Sequence, residues 1–219
     1  MLVPNRLLFR FELPLRHCPA MPIDGNLSHW PAECRLPDLS PIDGSSHIPS
    51  FGQVWMGWNQ AGLYVAIRVD GRNSPFRCDP KQYWKGDNLR LCTDMRDTRD
   101  IKRGSRYCQQ FYFLPAGGGR DGQSPIAGVA KVPRASENAP QVANDLLQIA
   151  SQRSGSTYTL EAHIPAAALS GFDPDEHRRI GIYYMLEDVE LGQQYLTVGD
   201  DLNWNIDPST WATAVLTSP

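Results

Sequence analysis

Four things are scarce in this sequence of 219 residues, and each scarcity removes a class of function. No apolar run approaches the roughly 20 consecutive residues that a membrane-spanning helix requires, so no such span is expected. Basic residues hold no surplus: 21 Lys and Arg stand against 24 Asp and Glu, a formal charge of −3. That balance gives no general attraction to nucleic acid or to an anionic membrane surface, and neither partner is expected. The five cysteines, Cys18, Cys34, Cys78, Cys92 and Cys108, are odd in number and include no close pair. Neither a zinc knuckle nor a complete disulfide framework follows from them, and free buried thiols of a reducing compartment are the expectation. Nucleophile motifs are also missing. There is no Gly-x-Ser-x-Gly, and neither Ser170 nor Cys108 stands in a setting that supplies a base.

Long helical periodicity is missing too, and 18 Gly with 18 Pro punctuate the chain into short pieces. Residues 1–13 alternate Phe9, Phe11 and Leu13 against Arg10 and Glu12, a strand pattern unlike the charged head and unbroken apolar middle of an export signal. From Leu15 to Gly52, six prolines (Pro19, Pro22, Pro31, Pro37, Pro41 and Pro49) predict an ordered loop segment wrapping the domain. A hairpin follows, Gln53–Trp58 and Leu63–Val69 around Asn59–Gly62. Within it, Trp55 and Trp58 are offset by three and so lie on opposite faces, which places at least one in the core. Further strands are predicted at Asp87–Thr93, Tyr107–Leu114, Ile126–Val132, Leu146–Ser151, Tyr158–Ile164, Arg179–Leu186 and Trp211–Leu216. Pro165–Leu169 is the best local helix candidate, ended by Gly171. The run Gly117–Gly122 lacks the Gly-Lys-Ser/Thr and the following helix of a phosphate loop, and reads as a hairpin tip. Together these predict one domain over residues 1–219, all-β, a two-sheet antiparallel β-sandwich of jelly-roll type with long ordered loops.

Two tryptophans then stand out in matching polar settings: Trp84-Lys85-Gly86-Asp87-Asn88-Leu89-Arg90 and Trp204-Asn205-Ile206-Asp207-Pro208-Ser209. An indole beside a polar loop is a good platform for a ligand with one apolar face, such as a sugar ring. Equally, both could be core residues whose Nε1–H reaches a loop carbonyl, and spacing alone leaves the two readings open.

The order of motifs along residues 20–217 resembles the family 9 carbohydrate-binding modules. Ile23-Asp24-Gly25 with Trp30 is similar to the family's opening "IDG…W", and Val54-Trp55 with Leu63-Tyr64-Val65 resembles its hairpin. Gly86-Asp87 resembles a strand start of the family, and Tyr158, Glu161, Ile164-Pro165 and Leu169 are similar to its "Y…E…IP…L". Gly181-Ile182-Tyr183-Tyr184 with Asp188 and the closing Asp207-Pro208-Ser209-Thr210-Trp211 complete the order. The resemblance implies a sugar clamped between Trp84 and Trp204, with Arg90, Gln110, Tyr112 and Asn205 as further ligand-binding residues. Two of these depart from the family pattern. Arg90 replaces a glutamate, and Tyr112 stands where an arginine follows Gln110-Phe111. Because a guanidinium offers only donors and pairs with carboxylate or sulfate, the exchange points toward acidic saccharides.

Other clusters carry less. Arg90, Arg96, Arg99, Lys102, Arg103 and Arg106 interleave with Asp94, Asp97 and Asp100, either a self-neutralising solvated loop or a receptor for an acidic sugar. Two of these carboxylates, or Asp188 with Glu187, are the candidate acid and base of a glycosidase. His163 shares a strand face with Glu161, but no third metal ligand is recognisably spaced from them. No cofactor is expected; structural calcium, implied by the resemblance, would draw on Asp24, Asp70 and Asp188. Three readings stand: a non-catalytic carbohydrate-binding module, a glycoside-active hydrolase, and a scaffold whose sugar slot is closed. The free thiols point to the cytoplasm, the resemblance to an extracytoplasmic site.

Overall fold

The computed structural model describes residues 11–39, 50–197, 199 and 202–218, and the first ten residues and the tip of the proline-rich loop, residues 40–49, lie outside that description. Eleven strands are named among the described residues: β1 Glu12–His17, β2 Gly52–Asn59, β3 Gly62–Val69, β4 Asn88–Asp94, β5 Cys108–Gly118 and β6 Ser124–Ala130, then β7 Gln148–Ser154, β8 Thr157–Pro165, β9 Arg179–Asp188, β10 Gly192–Tyr195 and β11 Ala212–Leu216. The fold is all-β, and no α-helix occurs among the described residues. Pro165–Leu169 forms only a 3-10 turn over Ala166–Ala168, too short a run between strand end and Gly171 to nucleate an α-helix.

Hydrogen bonding links the strands in the order β6-β5-β4-β9-β11-β1-β2-β3-β8-β7, with β10 beside β9. The expectation of wholly antiparallel pairing needs correction at β1. Its first half pairs in parallel with β11 (Glu12↔Thr213 to Leu15↔Leu216), and its second half in parallel with β2 (Arg16↔Gly57, His17↔Trp58). Parallel neighbours require a long crossover, and the segment from Cys18 to Phe51 supplies one between β1 and β2. The result is one mixed, nearly closed sheet whose two halves are joined by β1, with β6 and β7 approaching at the opposite side.

Alternation sends one set of side chains into the enclosed core, among them Leu15, Trp58, Leu63, Ile67, Leu91, Phe111, Phe113, Leu160 and Ile182, all buried. A second, smaller core lies outside the sheet. There the loop after β1 lays Cys18, Met21, Trp30 and Cys34 against Tyr64 and Ala66, with Trp55 half-buried at its edge. Trp55 and Trp58 thus part to opposite faces, as their offset requires. What holds the outer loop is Glu161, wholly buried on β8. Its Oε2 accepts from the backbone N–H of Asp24 and Gly25 at 3.1 and 3.0 Å, and its Oε1 meets Trp30 Nε1 at 2.6 Å and His29 Nε2 at 2.8 Å. The "IDG…W" motif and the distant Glu161 therefore form one structural clamp. His163, on the same face, stacks on Tyr64 with ring centroids 4.3 Å apart, and burial lowers its pKa. It is a packed residue.

A buried ion triad fixes the connection between β3 and β4. Arg72 meets Asp87 with Nη1 at 2.7 Å and Nη2 at 2.8 Å, and its Nη1 lies 2.7 Å from Asp188 Oδ2, with all three side chains fully buried. The remaining valences are filled: Nε and Nη2 donate to the Ser74 and Pro75 carbonyls, and Asp87 also accepts the Arg77 and Val189 amides. In addition, Glu190, in the β9–β10 turn, accepts from the Ser74 hydroxyl and amide and the Asn73 amide, which lowers its carboxyl from 4.5 to about 2.

Three outcomes follow from this packing. Trp58→Ala should cost about 3–5 kcal/mol in urea denaturation and Trp55→Ala less than half of that, since only Trp58 vacates the main core; equal losses would contradict the two-face assignment. Arg72→Met should cost about 3–5 kcal/mol by leaving two carboxylates buried without a cation, and an unchanged midpoint would contradict the triad's role. Glu190 is a depressed carboxyl, so its anchoring is complete above pH 4.5 and is lost as pH falls toward about 2. Amide exchange at Ser74, corrected for its intrinsic pH dependence, should accelerate over that window in the native protein and not in Glu190→Gln.

Candidate functional site

The loop from Arg72 to Asp87 carries Trp84 and is pinned at both ends. At Gly86 the backbone takes φ +133°, and a Cβ there would lie 2.2 Å from the Arg77 carbonyl, so the loop closes tightly just after the indole. Asp79 caps a 3-10 turn over Pro80–Gln82, accepting from Lys81 N at 2.8 Å. The turn delivers Tyr83 and Trp84 above the outer face of β4, β5 and β9. Trp84 is 47% exposed, the largest side chain among the exposed apolar residues described.

Beneath it the rings are stacked in order. Tyr83 meets Trp84 edge to face at 5.2 Å and lies flat on Tyr112 at 4.2 Å. Tyr112 in turn lies on Gly128 of β6, where a Cβ would fall 2.2 Å from its ring, so only glycine leaves room for it. Burial pushes both phenols above their ordinary pKa, which keeps them as neutral hydrogen-bonding groups. Arg90 stands directly across from Tyr112 on β5 and Met185 on β9. Its guanidinium lies over the Trp204 ring at 4.8 Å, and its Nη2 reaches Met185 Sδ at 3.1 Å and Glu187 Oε2 at 3.5 Å. Its Nε is buried without a hydrogen-bond partner.

Trp204 corrects the picture of two open indoles. It is only 1% exposed, stacked on Tyr183 at 5.1 Å with Tyr195 edge-on at 6.5 Å, while Arg90 covers it. Its own carbonyl accepts Trp211 Nε1 at 2.7 Å. Of the pair, one indole is a free platform and the other a buried support for a guanidinium. Asn205 is half-buried beside it, and Gln110 is buried at 3% exposure, directly opposite Cys92. Trp84, Arg90 and Tyr112 are therefore brought to one accessible face, and Gln110 lies beneath it.

Sequence reasoning missed three residues of this face and gave a fourth, Glu187, a different role as an acid–base partner of Asp188. Tyr83 could have been found as the aromatic neighbour of Trp84. Gln193 and Tyr195 could not, because β10 is a four-residue edge strand. They form a chain along the rim: Tyr195 Oη donates to Gln193 Oε1 at 2.6 Å, and Gln193 Nε2 donates to Glu187 Oε1 at 3.4 Å. A carboxylate thus stands one strand away from Arg90.

Other candidates disperse. Glu187 and Asp188 point to opposite faces of β9, and Asp188 is bound to Arg72, so they do not form an acid–base pair. The three calcium candidates are separated: Asp188 lies in the triad, Asp70 pairs with Arg68 at the surface, and Asp24 sits by Glu161. Asp24, His29 and Glu161 do bring three ligand atoms within 4.8 Å of one another, but Glu161 is already filled by four protein partners. Asp94 and Asp97 are turned into the fold rather than solvated, binding the Thr98 amide at 2.7 Å and the Thr213 hydroxyl at 2.7 Å. All five thiols are free; burial raises Cys18 and Cys108 to about 12, Cys34 and Cys78 to about 11, and Cys92 as well, so none is a poised nucleophile. No helix among the described residues is long and apolar enough to cross a membrane.

No family profile and no curated protein matches the sequence. Solved structures do. A family 9 carbohydrate-binding module from Caldicellulosiruptor kristjanssonii in complex with glucose aligns with a TM-score of 0.65 at 11% identity, over 95% of this chain and 97% of that one. A family 9 module of the same organism in complex with cellotriose aligns with a TM-score of 0.62 at 12% identity, over 95% of each chain. At such identities the likeness is one of fold, and the fold of this chain is that of the family 9 carbohydrate-binding modules.

Proposed function

We propose that this chain is a single carbohydrate-binding module that holds a saccharide, without chemistry, on the face beneath Trp84. The observation that carries the reading is the exposed indole set on the Tyr83–Tyr112 stack, beside the Arg90 guanidinium. A sugar ring packs its apolar face on Trp84 while its polar edge meets Arg90, Glu187 and the rim of Gln193 and Tyr195. Support also comes from the fold, since solved modules of the same fold hold glucose and cellotriose.

Trp204 enters this reading as the base on which Arg90 rests, and Asn205 flanks it; the second wall of the slot is the guanidinium, not an indole. That substitution changes the ligand. The guanidinium of Arg90 keeps part of its surface open, and a uronic carboxylate or a sulfate is the acceptor it pairs with best. Glu187 opposes this with its own charge at 3.5 Å from Nη2, so the preference for acidic over neutral sugars is moderate.

Fluorescence titration with neutral and uronic oligosaccharides tests the reading. Trp84→Ala should weaken binding by about 1 kcal/mol or more while leaving the fold intact. Uronic affinity should fall with added salt. Glu187→Gln should raise it. Binding that is equal in wild type and Trp84→Ala, or absent from both, would leave a scaffold with a closed slot as the surviving account.

A further inference from the structure

The outer face of β2, β3, β8 and β7 is covered along only half its length. The loop after β1 seals Tyr64, Ala66 and Trp55 beneath the second core, and beyond Trp55 the face opens into a groove of about 690 Å³. Register places Gln53, Arg68, Thr159 and Gln152 in one row across the four strands. At the usual strand spacing that row is about 14 Å long, the scale of a short oligosaccharide. The Gly25–Ser28 loop walls one side, and the half-buried Trp55 closes one end.

The chemistry of this groove differs from that beneath Trp84. Its charged donors are already engaged within the fold. Arg68 donates to Asp70 from Nε at 3.1 and 3.3 Å and from Nη2 at 3.1 Å, and Asp70 also accepts from Thr157 at 2.6 Å. Arg153 donates to the carbonyls of Ser74, Arg72 and Gly155. What is left over is neutral hydrogen-bonding capacity in fixed positions. Gln152 Nε2 donates to the Asp24 carbonyl and Thr159 Oγ1 to the Gly25 carbonyl, both in the loop that walls the groove. The Gln53 amide and the Trp55 Nε1–H, two residues apart on one face of β2, make no hydrogen bond among the described residues. An arginine–aspartate pair supplies donor and acceptor side by side, the arrangement that a vicinal diol satisfies.

We propose that this groove is a second carbohydrate site, which takes a neutral oligosaccharide independently of the Trp84 face. An acidic chain finds the donors of Arg68 and Arg153 already engaged, by Asp70 and by backbone carbonyls, whereas a hydroxyl-rich neutral chain matches the paired Arg68–Asp70, the side-chain amide of Gln53 and the edge of Trp55.

Two-dimensional NMR of the ¹⁵N-labelled protein separates the two sites, because the Trp55 and Trp84 indoles report individually. The probes are cellohexaose, xylohexaose, mannohexaose and hexagalacturonate. At least one neutral hexasaccharide should shift the Trp55 indole and the Gln53 side-chain amide, with the same affinity in wild type and Trp84→Ala and little dependence on salt. The double variant Gln53→Ala/Arg68→Ala, its fold checked by its unperturbed Trp58 and Trp204 resonances, should bind at least tenfold more weakly at this groove while keeping the response at Trp84. No Trp55 shift with any neutral probe, an undiminished shift in the double variant, or stronger binding of hexagalacturonate than of the neutral chains would overturn the proposal.

Discussion

The buried triad of Arg72, Asp87 and Asp188 is the interaction on which the candidate site depends. It joins the residue before β4 to the last residue of β9, two adjacent strands of the site, and does so through an arginine at the start of the loop that carries Trp84. A buried charge is costly unless every valence is met, and here every one of the contacts that could be left open is made by carboxylate, carbonyl or amide. Where the resemblance places acidic residues as calcium donors, Asp188 holds a guanidinium, and the cation in that corner of the fold is part of the chain itself.

From this anchor the site is assembled by stacking. Gly86 and Gly128 provide the two close approaches, one for the loop and one for the Tyr112 ring. Tyr83 then carries Trp84 outward, and Arg90 caps Trp204. Rings supported on both faces lose little freedom on binding a ligand, so a preformed platform gives up less affinity to ordering than a mobile one. Arg90 does not stand alone on this face, because Glu187 supplies a carboxylate from the neighbouring strand.

Much of the fold was legible because strand alternation is a local property. The hairpin of β2 and β3, and strands β4 to β9 and β11, fall within a few residues of their predicted limits. What escaped was set by tertiary context. No periodicity tells that β1 pairs in parallel with both β11 and β2, since pairing partners are not written in a strand's own pattern. The polar run after Trp204 fits an exposed or a buried indole equally, and the fold settles it: Asn203 is exposed while the indole turns inward onto Tyr183. The motif that supported the resemblance, Asp24-Gly25 with Trp30, is explained by Glu161 as a clamp of the fold, while the ligand-facing residues Tyr83 and Glu187 carried no motif at all.

The central claim is that one face, built on Trp84 and Arg90, receives a sugar. A crystal structure of the protein grown with a uronic trisaccharide measures it most directly. The account predicts a pyranose ring stacked on Trp84, with its carboxylate on the Arg90 guanidinium and the Trp204 indole still buried beneath it. A trisaccharide bound elsewhere, with the Trp84 face bare, would contradict it.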